Sequence, residues 1–302
     1  MKFWTDPQLK PAFLQARLST KYHSKSFYVS TILLPPERRW ATFALYGFCR
    51  FADNLIDIPR NRSSEELISE IDHMIRELSI AYRSGESEHP IIRSLIIVAK
   101  KFNIPIEYPN ALLNGVKMDV EIKRYQSFND LYLYCYRVAG VVGLMMTYVL
   151  GYKDPEAFVY AEKLGIAMQL TNILRDIQED KNLDRIYIPI DELNRFHLTE
   201  QDIIDEQMND NMRELIKFQI ERAYSYYHES SKGIPMLNFE SQIAINAASK
   251  IYSSILKKIE QNNYNPFLGR MVVPQSYKFS IMFREFMTIQ ANRLVNCFHH
   301  GS

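Results

Sequence analysis

The sequence predicts an all-α protein that forms a single domain. Glycine is scarce, with 10 among 302 residues, and strand-like alternation of apolar and polar residues is nearly absent. Apolar residues instead recur at spacings of three and four along the chain, which is the pattern of amphipathic helices. No low-complexity linker and no internal repeat divides the chain. We therefore expect one domain over residues 1–298 and treat 299–302 as a tail outside it.

Capping signals and prolines set the expected helix boundaries. Ser63 with Glu66, and Ser127 with Asp130, have the spacing of a capping box, and Asp154 followed by Pro155 predicts a further helix start. Prolines fall between the periodic segments, where they do not interrupt a helix. The predicted helices lie near 8–22, 37–58, 63–84, 91–103, 107–122, 128–150, 155–182, 199–208, 210–231, 236–262 and 275–296.

Charge and cysteine usage exclude several classes of protein. The net charge is +1 and basic residues are dispersed, so no electrostatic field favours nucleic acid as a partner. The three cysteines, Cys49, Cys135 and Cys297, are far apart and predict neither a disulfide framework nor a zinc site. A reducing, cytoplasmic location fits this usage best. The longest nearly uncharged stretch, 138–152, is shorter than the ~20 residues that a membrane-spanning helix needs.

Two polar stripes inside apolar runs carry the functional signal. One consists of Tyr46, Arg50, Asp53 and Asp57, and the other of Gln169, Asn172, Asp176 and Asp180. The first and last residues of each stripe are eleven positions apart, about three helical turns, so its side chains share one helix face. A single stripe would be a solvated surface more often than a site. Two in-phase stripes of hard oxygen ligands, without His or Cys, favour a magnesium site for a phosphate-bearing substrate.

Cationic side chains near the stripes are candidates for binding phosphate. They are Arg50, Arg175 and Arg185, with Lys25, Lys250 and Arg270 further away in sequence. Arginine forks match phosphate oxygens in a bidentate manner. For Arg175 the alternative is an i,i+4 pair with Glu179. Arg185 lies in a segment directly after the second stripe, and a loop there could fold over bound phosphate.

A third segment, Tyr125–Gly143, places two glycines, Gly140 and Gly143, in an apolar helix. Each glycine costs about 1 kcal/mol relative to alanine, so some gain must offset it. One explanation is close packing of helices. The other is a kink or a wall free of side chains beside a long apolar ligand, toward which Tyr134 would aim its ring.

These residues resemble the squalene and phytoene synthase family, which joins two prenyl diphosphates head to head. The match runs from His23–Phe27 through Tyr46–Asp57, Tyr134–Gly143 and Gln169–Pro189 to Ile251 and Tyr252, nearly the whole chain. Within the family, these motifs resemble most the motifs of bacterial phytoene and dehydrosqualene synthases. One departure is Asn54, because the family often has a second acid beside the first aspartate. The resemblance implies an isoprenoid-synthase helical bundle with a central cavity.

The resemblance also implies roles for individual residues. Magnesium, with manganese as a substitute, would be held by Asp53, Asp57, Asn172, Asp176 and Asp180. Substrate binding would involve His23, Lys25, Arg50, Gln169, Asn172, Arg175, Arg185 and Tyr187. The residues nearest the chemistry would be Tyr46, Arg50, Tyr134, Arg175 and Tyr252.

The implied reaction is ionisation of one prenyl diphosphate and attack by a second, through a cyclopropylcarbinyl diphosphate. Condensation of two geranylgeranyl diphosphates to phytoene is the first hypothesis. The same chemistry on farnesyl diphosphate would give squalene, dehydrosqualene or presqualene diphosphate, and only squalene would need NADPH. The acceptor of the final proton stays open between released diphosphate and a tyrosine. A relative without catalysis, acting as an assembly factor, is the remote alternative, and it should tolerate loss of the acidic residues.

The lipid nature of substrate and product implies peripheral contact with a membrane. The sequence leaves the oligomeric state open.

Overall fold

The computed structural model describes residues 2–57, 62–285 and 287, without the side chains of Lys25, Ser26 and Asp57. Within these residues the secondary structure is helical, and the only β-type pairing is two isolated bridges. The prediction of an all-α fold is confirmed. The end of the last predicted helix, Cys297 and the tail 299–302 lie outside the described residues.

Thirteen α-helices follow a short 3₁₀ turn at Phe3–Thr5. They are α1 Lys10–His23, α2 Lys25–Thr31, α3 Pro36–Asp57, α4 Ser64–Ser84, α5 Pro90–Phe102, α6 Glu107–Glu121, α7 Phe128–Cys135, α8 Val141–Leu150, α9 Ala157–Asn182, α10 Ile190–Arg195, α11 Glu200–Ile204, α12 Asp210–Ser231 and α13 Phe239–Gln261. A further helical segment covers 275–285.

Most helix boundaries agree with the sequence prediction because local signals set them. The capping boxes at Ser63 and Ser127 are both formed. The start predicted at Pro155 is two residues early, since α9 begins at Ala157, and Asp154 accepts from the Glu156 amide at 2.9 Å in the turn that precedes the helix. Helices α2 and α10 were not predicted, because seven and six residues are too few for a periodic signal.

The long predicted helix 128–150 contains a defect. Its backbone switches to a π-helical turn over Tyr136–Gly140, between α7 and α8. Such turns re-aim the side chains that follow and occur often at functional sites. Phe128–Leu150 is the one described helical run long and apolar enough to cross a membrane, but 56% of its most apolar window is buried in the protein. A core helix of this kind satisfies the same criteria.

Helix α9 is the central element of the bundle. It contacts α7, α8, α12 and α13, while α8 in turn contacts α3 and α6. Buried apolar side chains form two large clusters, one that includes Phe48 of α3 and Leu95 of α5, the other Leu170 of α9 and Ile216 of α12. Both α3 and α9 border one internal cavity, so the two polar stripes face a common space.

Candidate active site

A cavity of about 660 Å³ runs along α9 and has two unlike ends. Carboxylates, amides and arginines surround one end. The other end is lined by small and apolar side chains, including Val142, Met146, Leu150, Ala157, Ala161 and Leu164. A ligand that fills this space must carry charge at one end and a long apolar body behind it.

The first stripe lies on α3. Tyr46, Arg50 and Asp53 all line the polar end of the cavity, and Arg50 Nη1 lies 3.7 Å from Asp53 Oδ2. Burial raises the pKa of the Tyr46 hydroxyl well above its usual value, so the group stays a neutral phenol. The side chain of Asp57 lies outside the described residues, although its position is helical. The stripe thus presents at least one carboxylate and one guanidinium to the cavity.

The second stripe lies on α9, where Gln169, Asn172, Asp176 and Asp180 all line the cavity. The Asn172 amide nitrogen donates to Gln169 Oε1 at 3.2 Å, while its Oδ1 is buried without a hydrogen-bond partner. Burial, followed by the nearby Asp176 charge, raises the pKa of Asp180 to about 7. An acceptor oxygen without a donor and two crowded carboxylates are the features that a bound cation would relieve.

Two arginines neutralise part of this acidity. Arg175 Nε donates to Asp176 Oδ1 at 2.7 Å, so the alternative pairing of Arg175 with Glu179 is wrong. Glu179 pairs instead with Arg270, at 3.3 Å, and Arg270 Nε lies 3.5 Å from Asp176 Oδ1. Arg270 comes 91 residues after Glu179 in the chain and lines the cavity. Arg270 therefore brings a cation to the mouth of the cavity, which the spacing of residues in the sequence could not predict.

The segment after α9 forms one side of the polar end. Arg185 and Tyr187 both line the cavity. The segment is held in place, because the Arg185 amide donates to the Asp180 carbonyl at 2.9 Å and Arg124 Nη1 donates to the Asp184 carbonyl at 2.7 Å. A loop in this position can contact a phosphate group at the mouth of the cavity.

Other predicted residues differ in their placement. Tyr134 and Tyr252 line the cavity. His23 is largely exposed and does not line the cavity. The partial burial that remains, and then the nearby Arg50 charge, lower the pKa of its imidazole. The Lys25 side chain lies outside the described residues. Lys250 turns away from the cavity, because its ammonium pairs with buried Glu285 at 2.6 Å.

Comparison with known proteins is consistent with this geometry. The sequence model of squalene/phytoene synthases matches residues 20–277. The chain belongs to the squalene/phytoene synthase family. Among its relatives, 15-cis-phytoene synthase of Synechocystis is 37% identical over 90% of this chain and 85% of its own length, and that of Synechococcus elongatus is 36% identical over 88% and 89%.

Solved structures of squalene/phytoene synthases have the same fold. A dehydrosqualene synthase crystallised with a ligand superposes with a TM-score of 0.86 at 29% identity, covering 94% of this chain and 98% of that one. Squalene synthase from Alicyclobacillus acidocaldarius gives 0.79 at 26% identity, covering 86% and 97%. The predicted isoprenoid-synthase bundle is therefore confirmed.

The sequence analysis missed one buried carboxylate of the cavity lining. Asp119 lies near the end of α6, is 7% exposed and lines the cavity beside Tyr134 and Tyr187. Its neighbours Met118 and Val120 are also buried, so it has no polar stripe of its own. A carboxylate inside an apolar helical stretch was the available signal.

The donor set fits the divalent metal that the squalene/phytoene synthase family implies. Within the described residues no three Asp, Glu, His or Cys side chains converge closely enough to hold an ion by themselves. Magnesium, however, is usually bound by one or two carboxylates together with substrate phosphates. Asp53 on α3, with Asn172, Asp176 and Asp180 on α9, offers oxygen ligands of that kind on the wall of one cavity.

Proposed function

We propose that this protein joins two molecules of geranylgeranyl diphosphate head to head to give phytoene, through a cyclopropylcarbinyl diphosphate intermediate. The observation that carries the proposal is the single cavity whose polar end gathers acids and arginines from α3, α9 and the segment after α9, with an apolar pocket behind it. This division matches an allylic diphosphate. The phytoene synthase relatives, matched over most of their length, support the twenty-carbon substrate.

The chain's own residues perform three tasks in this reaction. Arg50, Arg175 and Arg185 bind the diphosphate and stabilise its departure as an anion, since a guanidinium matches phosphate oxygens in pairs. Asp53, Asp176 and Asp180, with the Asn172 carbonyl, would hold Mg²⁺, or Mn²⁺ in its place. When bound, the metal supplies positive charge that neutralises the leaving diphosphate. The apolar end excludes water, which would otherwise capture the allylic cation as an alcohol.

Substrate assays test this function directly. Purified protein with Mg²⁺ and geranylgeranyl diphosphate is expected to release diphosphate and form a conjugated triene hydrocarbon without NADPH. The second candidate, dehydrosqualene formation from farnesyl diphosphate, is favoured by the match to the dehydrosqualene synthase structure. Exclusive use of farnesyl diphosphate would select that candidate, and a hydrocarbon that requires NADPH would indicate squalene. Absence of diphosphate release from either substrate would contradict catalysis and leave the assembly-factor alternative.

Peripheral contact with a membrane belongs to the same proposal. Three apolar side chains near the polar mouth are largely exposed: Leu183 at 59%, Leu268 at 61% and Val272 at 68%. Leu183 lines the cavity, as does Arg270 between the other two. Such a rim would let a lipid chain pass between bilayer and cavity. Flotation with vesicles should recover the wild type and lose a Leu268→Ser, Val272→Ser variant, while equal recovery would contradict this contact.

A further inference from the structure

Three buried polar groups of the cavity lining meet one another. Asp119 Oδ1 accepts a hydrogen bond from the Tyr187 hydroxyl at 2.8 Å, and its Oδ2 accepts one from the Tyr134 hydroxyl at 3.0 Å. The two hydroxyl oxygens lie 3.4 Å apart. Tyr134 and Tyr187 are stacked with ring centroids 5.1 Å apart, and Tyr125 stacks on Tyr187 at 5.8 Å. We refer to Asp119, Tyr134 and Tyr187 as the carboxylate–tyrosine cluster.

The position of this cluster relates it to the reacting carbon. Tyr187 follows Arg185 on the polar side, whereas the helix that carries Tyr134 continues into Val138 and Val142 of the apolar lining. A prenyl diphosphate that lies with its phosphates at the polar end and its chain at the apolar end would have its C1 carbon between these two parts of the lining, next to the cluster. C1 is the atom on which positive charge appears when the diphosphate leaves.

The hydrogen bonds fix the direction of both hydroxyl dipoles. Because each tyrosine donates its proton to Asp119, the phenol oxygens keep their lone pairs available toward the cavity. A cation is attracted to such oxygens and to the faces of aromatic rings. Without the carboxylate, each hydroxyl could rotate and direct its proton at the cation. A buried acid in this position also costs folding free energy that an apolar residue would not cost, so its presence calls for a functional reason.

We infer that Asp119 is a positioning residue that orients the Tyr134 and Tyr187 hydroxyls so that their oxygens face the carbocation. The inference rests on the proposed function and extends it to a residue that lies outside the two acidic stripes. Asp119 acts through the tyrosines and has no part in binding the diphosphate. Its loss should therefore affect the fate of the cation more than the affinity for substrate.

Product partition is the measurement that separates positioning from a purely structural role. Asp119→Asn keeps the size of the side chain, but its amide nitrogen donates where a carboxylate oxygen accepted, so at least one hydroxyl must reverse. We expect KM for geranylgeranyl diphosphate to stay within about twofold and kcat to fall roughly 10–100-fold, as for other supporting contacts around reactive groups. The share of product recovered as prenyl alcohol or cyclopropylcarbinyl diphosphate should rise.

Two further variants complete the test. Tyr187→Phe removes one of the two hydrogen bonds and should shift the partition in the same direction by a smaller amount, which keeps the inference testable if Asp119→Asn does not fold. Tyr227→Phe is the matched control, because it removes a buried hydroxyl that bonds Thr171 at 3.0 Å outside the cavity lining. Its products should be unchanged.

The outcomes distinguish this inference from the proposed function. Reduced activity with the wild-type product partition in both Asp119→Asn and Tyr187→Phe would overturn the positioning role and leave the proposed function intact. Wild-type protein that forms no hydrocarbon from either prenyl diphosphate would instead overturn the proposed function. A shift toward quenched products in Asp119→Asn, absent in Tyr227→Phe, is the result that supports the inference.

Discussion

Replacement of Ala161 by phenylalanine is expected to shift substrate preference from geranylgeranyl toward farnesyl diphosphate. Ala161 lies on the cavity face of α9, one turn from Ala157 at the apolar end. The face continues through Leu164 and Met168 to Asn172 at the polar end. Because these residues follow a single helix, the depth of the cavity can be measured along it.

The helix provides a length scale for the prenyl chain. Asn172 and Ala157 are separated by a rise of roughly 22 Å, and Asn172 and Ala161 by roughly 16 Å, at 1.5 Å per residue. A zigzag of ~1.5 Å carbon–carbon bonds advances roughly 1.25 Å per bond, so a geranylgeranyl chain extends to about 19 Å and a farnesyl chain to about 14 Å. One isoprene unit is thus about as long as one turn of α9. An aromatic ring at position 161 leaves length for the shorter chain only.

Hydrophobic burial sets the size of the effect. The isoprene unit that the added ring would exclude contains five carbons, worth up to about 4 kcal/mol at ~0.8 kcal/mol for each buried CH₂. At 1.4 kcal/mol per tenfold, the ratio of kcat/KM for the two substrates should change by up to about 10³. The close approach of α8 to α9 should survive the substitution. A Cβ at Gly143 would lie 2.2 Å from the Ala161 carbonyl oxygen, so this contact involves the Ala161 backbone and not its side chain.

Competition between the two substrates, with analysis of the hydrocarbons formed, measures this ratio. Val159→Phe is the matched control, since Val159 is 56% exposed and does not line the cavity, so an added ring there should leave the ratio unchanged. Thermal melts of both variants establish that they fold. A folded Ala161→Phe variant with the wild-type ratio of kcat/KM for the two substrates would refute the idea that the apolar end of α9 determines which chain length is accepted.

Three other expectations concern charge. Asp176→Asn should abolish turnover and leave the thermal melt close to that of the wild type, whereas Glu179→Gln on the same rim should retain most of the activity; near-normal turnover in Asp176→Asn would contradict the metal assignment. Chelation should stop diphosphate release, and Mg²⁺, or Mn²⁺ in its place, should restore it; release that persists after dialysis against chelator would argue for a metal-free mechanism. Arg222→Met should leave Glu192, which is 7% exposed, without its guanidinium partner and destabilise the fold by about 3–5 kcal/mol. Its melting temperature should fall clearly while kcat at 25 °C is unchanged, and an unshifted melt would mean that this buried pair adds no stability.

The polar stripes were predictable because they are local. Spacings of three, four and seven place Asp53 beside Arg50, and Asp180 beside Asp176, on one face whatever the rest of the chain does. The same logic located most helix boundaries, and it failed for α2 and α10 because a helix of one or two turns has no period to detect. Sequence reasoning therefore gave the two faces of the site, while their common cavity came from the resemblance.

Pairings between distant parts of the chain were not predictable in the same way. Arg270 reaches Glu179 and Asp176 from 91 and 94 residues away in the chain, since 270 − 179 = 91 and 270 − 176 = 94. Asp119 meets Tyr134 and Tyr187 only because α6, α7 and the segment after α9 fold together. Helical periodicity says which face a residue occupies and nothing about which helix lies opposite. These are the contacts for which the structure was necessary.

At Gly143, one of the two glycines of the third segment, both explanations offered by the sequence hold, and Gly165 on α9 behaves in the same way. A Cβ at Gly143 would lie 2.2 Å from the Ala161 carbonyl oxygen, and a Cβ at Gly165 would lie 2.2 Å from the Ala139 carbonyl oxygen, so close helix packing requires both glycines. Both also line the cavity. Because the helices are so close, backbone atoms line the cavity at these positions in place of side chains. Backbone atoms cannot rotate into the space that the prenyl chain would occupy, as a side chain could. We expect the cation to be sheltered from water only while a chain of matching length fills this rigid pocket, so the depth of the apolar end is a condition for the chemistry next to the diphosphate.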